Sequence, residues 1–266
     1  MMNSSTILYL IIFLCCIGNK ANAQNFYENG KGKTLNFKKH GEWKYYHDNG
    51  TLSAEGTFND EGEQTGLWTL YHKNGTEYSS RMFSNGLVID GEAKFYHDNG
   101  ELESVGEYGY GTGTKNGPWK EYHKNGKLKA EGLYALDEKF GEWKFYNENG
   151  LLKESYFIKD GKLQGEWKRY YENGQLRLFV VNLVDGQAEG EARHYYESGK
   201  LKAIYNFVKG VGHGEAQEYH ENGQLSLIGN VANRKKENEW KYFDESGRLT
   251  KTEIYKNDEL IETREH

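Results

Sequence analysis

Five histidines recur at one place in a repeated phrase: His47, His72, His97, His123 and His220. Four stand in consecutive copies, 25 or 26 residues apart. A regular series of imidazoles is what a metal site would use. Carboxylates recur beside them, with Glu42, Glu142, Glu166, Glu191 and Glu215 sharing another place in the phrase. Paired acids flanking a sugar are the requirement for glycoside hydrolysis. Neither chemistry fits the spacing. Equivalent residues in successive hairpins stand about 9.5 Å apart, whereas ligands approach a shared ion to about 2.0–2.2 Å. An acid–base couple needs two carboxyls in unlike environments, and near-identical copies supply like ones. The histidine place therefore reads as a polar strand end, filled by Asn147, Tyr171, Tyr196 and Asp244 in the other copies. A metal ladder stays as the minor alternative. The glycine-rich "GYGTGTKNG" (109–117) lacks the Gly-Lys-Ser/Thr of a phosphate loop and reads as a lengthened turn. No catalytic, cofactor or metal residue is assigned, and the expectation is a non-enzyme.

What positions these residues is the repeat itself. "GEWKYYHDNG" (41–50) returns as "GLWTLYHKNG" at 66, "GEAKFYHDNG" at 91 and "GPWKEYHKNG" at 117. Nine copies start at 41, 66, 91, 117, 141, 165, 190, 214 and 238, leaving no room for another domain between them. The tenth place is Gly in all nine, preceded by Asn in seven and by Ser198 or Ser246 in two. Asn-Gly between aromatic segments predicts a type I′ hairpin turn, because both residues tolerate positive φ. A second, longer glycine-containing turn ("NDEGEQTG", "KDGKLQG", "VDGQAEG") returns the chain to the next copy. The fold class is all-β: an elongated, single-layer antiparallel meander of tandem hairpins of 24 to 26 residues.

The third place holds every tryptophan: Trp43, Trp68, Trp119, Trp143, Trp167 and Trp240. Ala93, Ala192 and Ala216 replace it in the other three copies. The sixth is Tyr in eight copies, among them Tyr46, Tyr71, Tyr96, Tyr122, Tyr146 and Tyr170. Leu fills the twelfth in eight, with Glu77 the exception. Odd and even places alternate across a strand, so the Trp and Tyr ladders fall on opposite faces unless a bulge intervenes. With aromatics at 15% and few aliphatics, the composition suits a thin sheet burying rings on both faces rather than a thick two-layer core.

The domain plan is a signal peptide over 1–23, a partial repeat over 24–40, nine repeats over 41–252 and a charged capping half-repeat over 253–266. The apolar run "ILYLIIFLCCIG" (7–18) is too short to span a bilayer comfortably, and Ala21-Asn22-Ala23 fits cleavage before Gln24. Export to the periplasm, envelope or medium is the expectation. No membrane-spanning segment is then left in the mature chain. Cys15 and Cys16 both lie in that run, so the mature chain offers no thiolate chemistry and no disulfide framework. Removing Lys20 with the leader leaves 33 basic residues (34 − 1) against 40 acidic ones. That balance opposes nucleic acid as a partner.

"GEWKYYHDNGTL", "GEWKFYNENGLL" and "GEWKRYYENGQL" resemble the variant MORN repeat (membrane occupation and recognition nexus) of bacterial proteins. The resemblance covers about residues 41–250. It implies an elongated β-meander acting as an interaction scaffold. Some proteins of this type carry an antitoxin label, which implies a cytoplasmic partner and is opposed by the leader.

The copies disagree most around "LRLFVVNLVDG" (176–186), which is apolar on both parities and precedes the two adjacent copies with Ala192 and Ala216. Either bulky Leu178, Phe179, Val181 and Leu183 fill the space that tryptophans vacate, or the segment presents an apolar patch for a partner. The patch residues would be Phe179, Val181, Leu183, Ala192 and Ala216. The first functional reading is a scaffold binding another protein or an envelope component. The second is a glycan or cell-wall binding module that uses the Trp/Tyr ladder as its platform.

Overall fold

The computed structural model describes residues 24–27, 29–89, 91–109 and 113–266. The expected leader, both cysteines and residues 110–112 of the glycine-rich turn lie outside the described residues. A short 3-10 helix (Gln24–Tyr27) precedes β1 (Lys31–Leu35), β2 (Lys38–Tyr46), β3 (Leu52–Phe58), β4 (Gln64–Tyr71) and β5 (Glu77–Ser84). Then come the two-residue β6 (Leu87–Val88), β7 (Glu92–Tyr96), β8 (Leu102–Tyr108), β9 (Lys115–Tyr122) and β10 (Leu128–Ala135). The chain divides into two halves, one ending at Lys139 and one comprising Phe140–His266. β11 (Glu138–Tyr146) begins at the division, followed by β12 (Leu152–Lys159), β13 (Lys162–Tyr170), β14 (Leu176–Val184) and the two-residue β15 (Gln187–Ala188). The rest are β16 (Gly190–Tyr195), β17 (Leu201–Val208), β18 (Val211–Tyr219), β19 (Leu225–Ala232), β20 (Lys235–Phe243), β21 (Leu249–Lys256) and β22 (Glu259–Glu265). Within each half the strands form an antiparallel meander in which sequence neighbours pair. β6 and β15 extend one side of the strand before them.

The two kinds of turn are the reverse of the sequence expectation. At the Asn-Gly turn the glycine alone is left-handed, as at Gly50 (φ 81), and the preceding asparagines are not. His47 accepts from the Gly50 amide at 2.8 Å and donates to the Thr51 carbonyl at 2.8 Å, and all nine copies repeat this pair of bonds. That is a three-residue loop, a type I turn closed by a left-handed glycine. The extra residue reappears as a bulge in the second strand, where Tyr45 faces Ala54 but Tyr46 faces Leu52.

The type I′ turn occurs instead between copies. Asp160 (φ 52) and Gly161 (φ 72) join the facing residues Lys159 and Lys162. Asp185-Gly186 and Lys209-Gly210 do the same, as do Asn36-Phe37 and Leu136-Asp137, which have no glycine. Phe37 and Leu136 are among the most exposed apolar residues because they occupy these turn tips.

Full burial lies mainly on one face rather than two. The buried set is dominated by third, fifth, fourteenth, sixteenth and eighteenth places, including Trp68, Trp119, Trp143, Tyr45, Phe95, Ala54, Ala130, Phe83 and Tyr134. The sixth-place tyrosines, on the other face, stay half-buried. The sixteenth place explains how one layer hides an indole. A Cβ built on Gly56 would sit 2.2 Å from the Trp68 ring, one on Gly106 2.3 Å from Trp119, and one on Gly229 2.2 Å from Trp240. Each of these rings lies flat on the glycine backbone of the preceding repeat. Covering one indole this way is worth on the order of 5 kcal/mol in transfer free energy, before entropy. In the first two the ring nitrogen donates to the carbonyl one residue further on, from Trp68 to Thr57 at 3.1 Å and from Trp119 to Glu107 at 3.1 Å.

Where the third place is Ala, the sixteenth is large. Val180 faces Ala192, Tyr205 faces Ala216, and Arg81 holds the place before Ala93. Tyr156 facing Trp167 is the exception, and there the indole turns to Glu154 Oε1 at 2.7 Å and stays partly exposed. The space left by the tryptophans is thus filled by Val180 and Tyr205, not by Phe179 and Val181.

Gly106 has an ordinary φ, so space alone decides its substitution. Gly106→Ala is expected to lower unfolding free energy by about 2 kcal/mol. Gly106→Val combined with Trp119→Ala, which copies the Val180–Ala192 pair, is expected to cost at least about 1 kcal/mol less than the sum of the single changes. Urea unfolding of the parent and the four variants measures both, and strict additivity would refute the exchange. Leu136→Asn places a residue that tolerates left-handed backbone at φ 51, and is expected to raise stability by about 0.5–1 kcal/mol in the same assay.

Candidate functional site

The recurring polar residues are the natural place to look for a site, and the structure spends them on neighbouring repeats. His47 Nε2 lies 2.9 Å from the Tyr71 carbonyl, His72 2.8 Å from Tyr96, His97 2.9 Å from Tyr122, and His220 2.8 Å from Phe243. A carbonyl only accepts, so each Nε2 carries the proton and donates. Tyrosine makes the same bond: Tyr171 donates to the Tyr195 carbonyl at 2.8 Å and Tyr196 to the Tyr219 carbonyl at 2.7 Å. Such interchange fits a hydrogen-bond donor and not a metal ligand. Among the described residues no three His, Cys, Asp or Glu side chains gather to hold an ion.

The ninth-place asparagine also reaches forward. Asn49 Nδ2 donates to the Lys73 carbonyl at 3.0 Å, while its Oδ1 accepts from the Thr51 amide at 3.1 Å. Asn74, Asn99, Asn149, Asn173 and Asn222 reach the next repeat in the same way, at 2.6 to 3.1 Å. One side chain thereby braces its own turn and ties it to the next.

The second-place carboxylates meet a cation two residues along their own strand. Glu92 pairs with Lys94 at 2.9 Å, Glu142 with Lys144 at 3.2 Å, Glu239 with Lys241 at 3.1 Å, and Glu191 with Arg193. These exposed pairs add little stability. They place the acids in like surroundings, with none set apart as a proton donor. On the same face Tyr71 donates to Glu55 at 2.7 Å. That hydroxyl first, with Lys44 adding, holds the Glu55 carboxyl below its ordinary range against the effect of burial. Burial first, then Glu55, pushes Tyr71 up to about 12.

The apolar region resolves unevenly. Leu183, Ala192 and Ala216 are buried, the first two in a cluster with Val180 that also packs Leu163, Trp167, Leu178 and Phe207. Phe179 is half-buried under the Lys168 ammonium, which stands 5.0 Å from its ring centre. Val181 is 38% exposed. Of the five patch residues, then, only Phe179 and Val181 face outward. Sequence reasoning missed a neighbour, Phe157, 45% exposed at the same repeat place as Val181. It borders a groove of about 600 Å³ with Glu142, Tyr156, Gln164, Glu166 and Lys168. The signal was readable, because the seventeenth place is polar in several copies and apolar here. Three rungs of the tryptophan ladder offer no open ring face on which a sugar could stack: Trp68, Trp119 and Trp143 are at most 1% exposed. No helix among the described residues is long and apolar enough to cross a membrane.

The model of the MORN repeat variant matches this chain at 39–60, 89–109, 115–135, 163–178, 188–209, 212–233 and 236–257, more than half its length. No curated protein matches. Among solved structures, the Photorhabdus luminescens Tc holotoxin pore with a mutated TccC3 is similar at 12% identity and TM-score 0.20, over 80% of this chain and 14% of the other. The TcdB2–TccC3–Cdc42 complex is similar at 10% identity and TM-score 0.19, over 81% of this chain and 17% of the other. This chain thus spans under a fifth of these two solved chains, and at these TM-scores the likeness carries no functional implication.

If the seventh place is a donor to the next repeat, His72→Tyr keeps the fold's stability within about 0.5 kcal/mol, as Tyr171 and Tyr196 suggest. His72→Phe leaves a carbonyl unanswered and costs about 1–2 kcal/mol. Thermal unfolding of both, with and without added zinc, checks the assignment. A zinc-dependent rise in the parent that His72→Tyr abolishes would restore the metal ladder.

Proposed function

The chain belongs to the MORN-repeat-variant family, and from that premise we propose a non-enzymatic, exported scaffold that binds another protein on the outward face of its repeats. The observation that carries this reading is the division of labour between the faces. Recurring His, Tyr and Asn side chains are committed to adjacent repeats. The seventeenth place, which varies between polar and apolar from copy to copy, points outward at Phe157 and Val181. Phe157 and Val181 lie at the same place in consecutive copies, bordered by the Glu142–Lys144 and Glu166–Lys168 pairs. An apolar centre with a charged rim suits a protein contact. Export rests on the apolar run at 7–18 and on Ala21-Asn22-Ala23. The buried indoles weigh against the glycan reading.

Crosslinking of intact cells with a membrane-impermeant reagent tests partner and location together. A protein is expected to be captured by the parent chain, whose mature N-terminus is Gln24. Capture is expected to fall at least about tenfold with Phe157→Ser and Val181→Ser combined, the loss of two anchors. Undiminished capture by the variant would overturn the assigned face. Capture only after the cells are broken would overturn export. Adding soluble cell-wall glycans is expected to leave tryptophan emission unchanged.

A further inference from the structure

In the copies where Ala192 and Ala216 replace tryptophan, the buried face carries a hollow that other copies lack the residues to make. We infer that this hollow, lined by Tyr171, Arg177, His194, Tyr195, Lys202 and Tyr205, is a binding site for a small organic carboxylate. It is independent of the outward protein contact proposed above.

The site is built by the repeat's own irregularities. Tyr205, facing Ala216, takes the place where an indole would lie and forms one wall. His194 meets it edge to face, with ring centres 5.6 Å apart. The buried Ala203, which faces His194, is the floor. Arg177 and Lys202 are the extra residues of two bulges, at the register steps opposite Arg169/Tyr170 and His194/Tyr195. A bulge re-aims a side chain, and both cations border the hollow. Its volume is about 280 Å³, room for a small organic acid and not for a folded segment.

The charge in the hollow is unbalanced. At the corresponding thirteenth place, Lys129 is answered by Glu121 at 3.9 Å. Arg177 and Lys202 have no ion-pair partner among the described residues; they stand over the Tyr171 and Tyr196 rings, 5.7 and 5.4 Å from the ring centres. Glu218, which faces Ala203 from the next strand, accepts from the Tyr205 hydroxyl at 2.6 Å. His194 makes no hydrogen bond among the described residues, and burial, with Lys202 and Arg177 adding, holds its ring below the usual histidine range. Two cations, a neutral imidazole and three tyrosines suit a planar anion with an apolar body: the guanidinium takes a carboxylate in a fork, and the rings flank the rest. A bare phosphate would leave the rings unused.

Titrating the full chain with benzoate in chloride-poor buffer, followed by histidine ring NMR, tests this. One resonance, assigned by its loss in His194→Gln, is expected to shift saturably with Kd of about 1 mM. Arg177→Gln and Lys202→Gln change exposed side chains, so the fold is retained, and each is expected to weaken binding about tenfold. Inorganic phosphate is expected to bind at least about tenfold more weakly than benzoate, for want of ring contacts. No saturable shift at ten times that concentration would overturn the site. So would a double variant that binds as the parent does, or phosphate binding as tightly as benzoate.

Discussion

An indole lying flat on a glycine of the preceding repeat is the contact on which this architecture depends. A single antiparallel layer has no second layer to cover its rings, so burial must come from backbone already present. Trp68 over Gly56 and Trp119 over Gly106 achieve this because the glycine lacks the one carbon that would hold the ring away. The same contact gives each repeat a need for the one before it, which is the nearest-neighbour coupling expected of tandem arrays. It also explains the scarcity of aliphatic residues, since flat rings on bare backbone cover more area per side chain than branched carbons do.

That contact fixes where a ring sits but not how far apart successive turns stand. The polar side chains supply the second constraint. A histidine or tyrosine at the seventh place and an asparagine at the ninth each bond a carbonyl of the next copy. Both act at the strand end, where the ladder stops and carbonyls would otherwise face water alone. Copies of 24, 25 and 26 residues are accommodated because the extra length falls in the return turn, away from these bonds. Repetition of residue type along this chain is therefore a record of mechanical need, which accounts for histidines in register without calling on a shared ion.

The repeat, the hairpin meander and the opposite facing of Trp and Tyr were legible because they follow from periodicity alone. The turns were not. Asn-Gly suggested type I′ geometry, yet Asn49 braces the turn through its side chain, and only Gly50 takes positive φ. A dipeptide records tolerance of a conformation, and a side-chain bond to the next repeat is a competing use of the same residue. The inward patch failed for a related reason. Leu183, Ala192 and Ala216 looked available because hydropathy was read along the strand. The burial of Ala192 and Ala216 depends on a partner at the sixteenth place of the previous copy, a comparison between copies rather than within one. The Gly/Trp and Val or Tyr/Ala exchange was present in the letters and needed only that alignment.

The exchange also bears on where a repeat array can acquire a binding site. A position that must hold an indole against a glycine is not free to do anything else. Once Ala192 and Ala216 relieve the sixteenth place, Tyr205 enters it with its hydroxyl held by Glu218, and the bulge residues beside it can carry charge without displacing a ring. The same bulge holds the buried Ser53 in the first copy and Arg177 and Lys202 in these. Its geometry is constant and its chemistry is not. A small-molecule site can arise in this array where the packing rule is met by a different pair of side chains, because the Tyr205–Ala216 exchange leaves a wall, a floor and nearby cations without a ring to cover them.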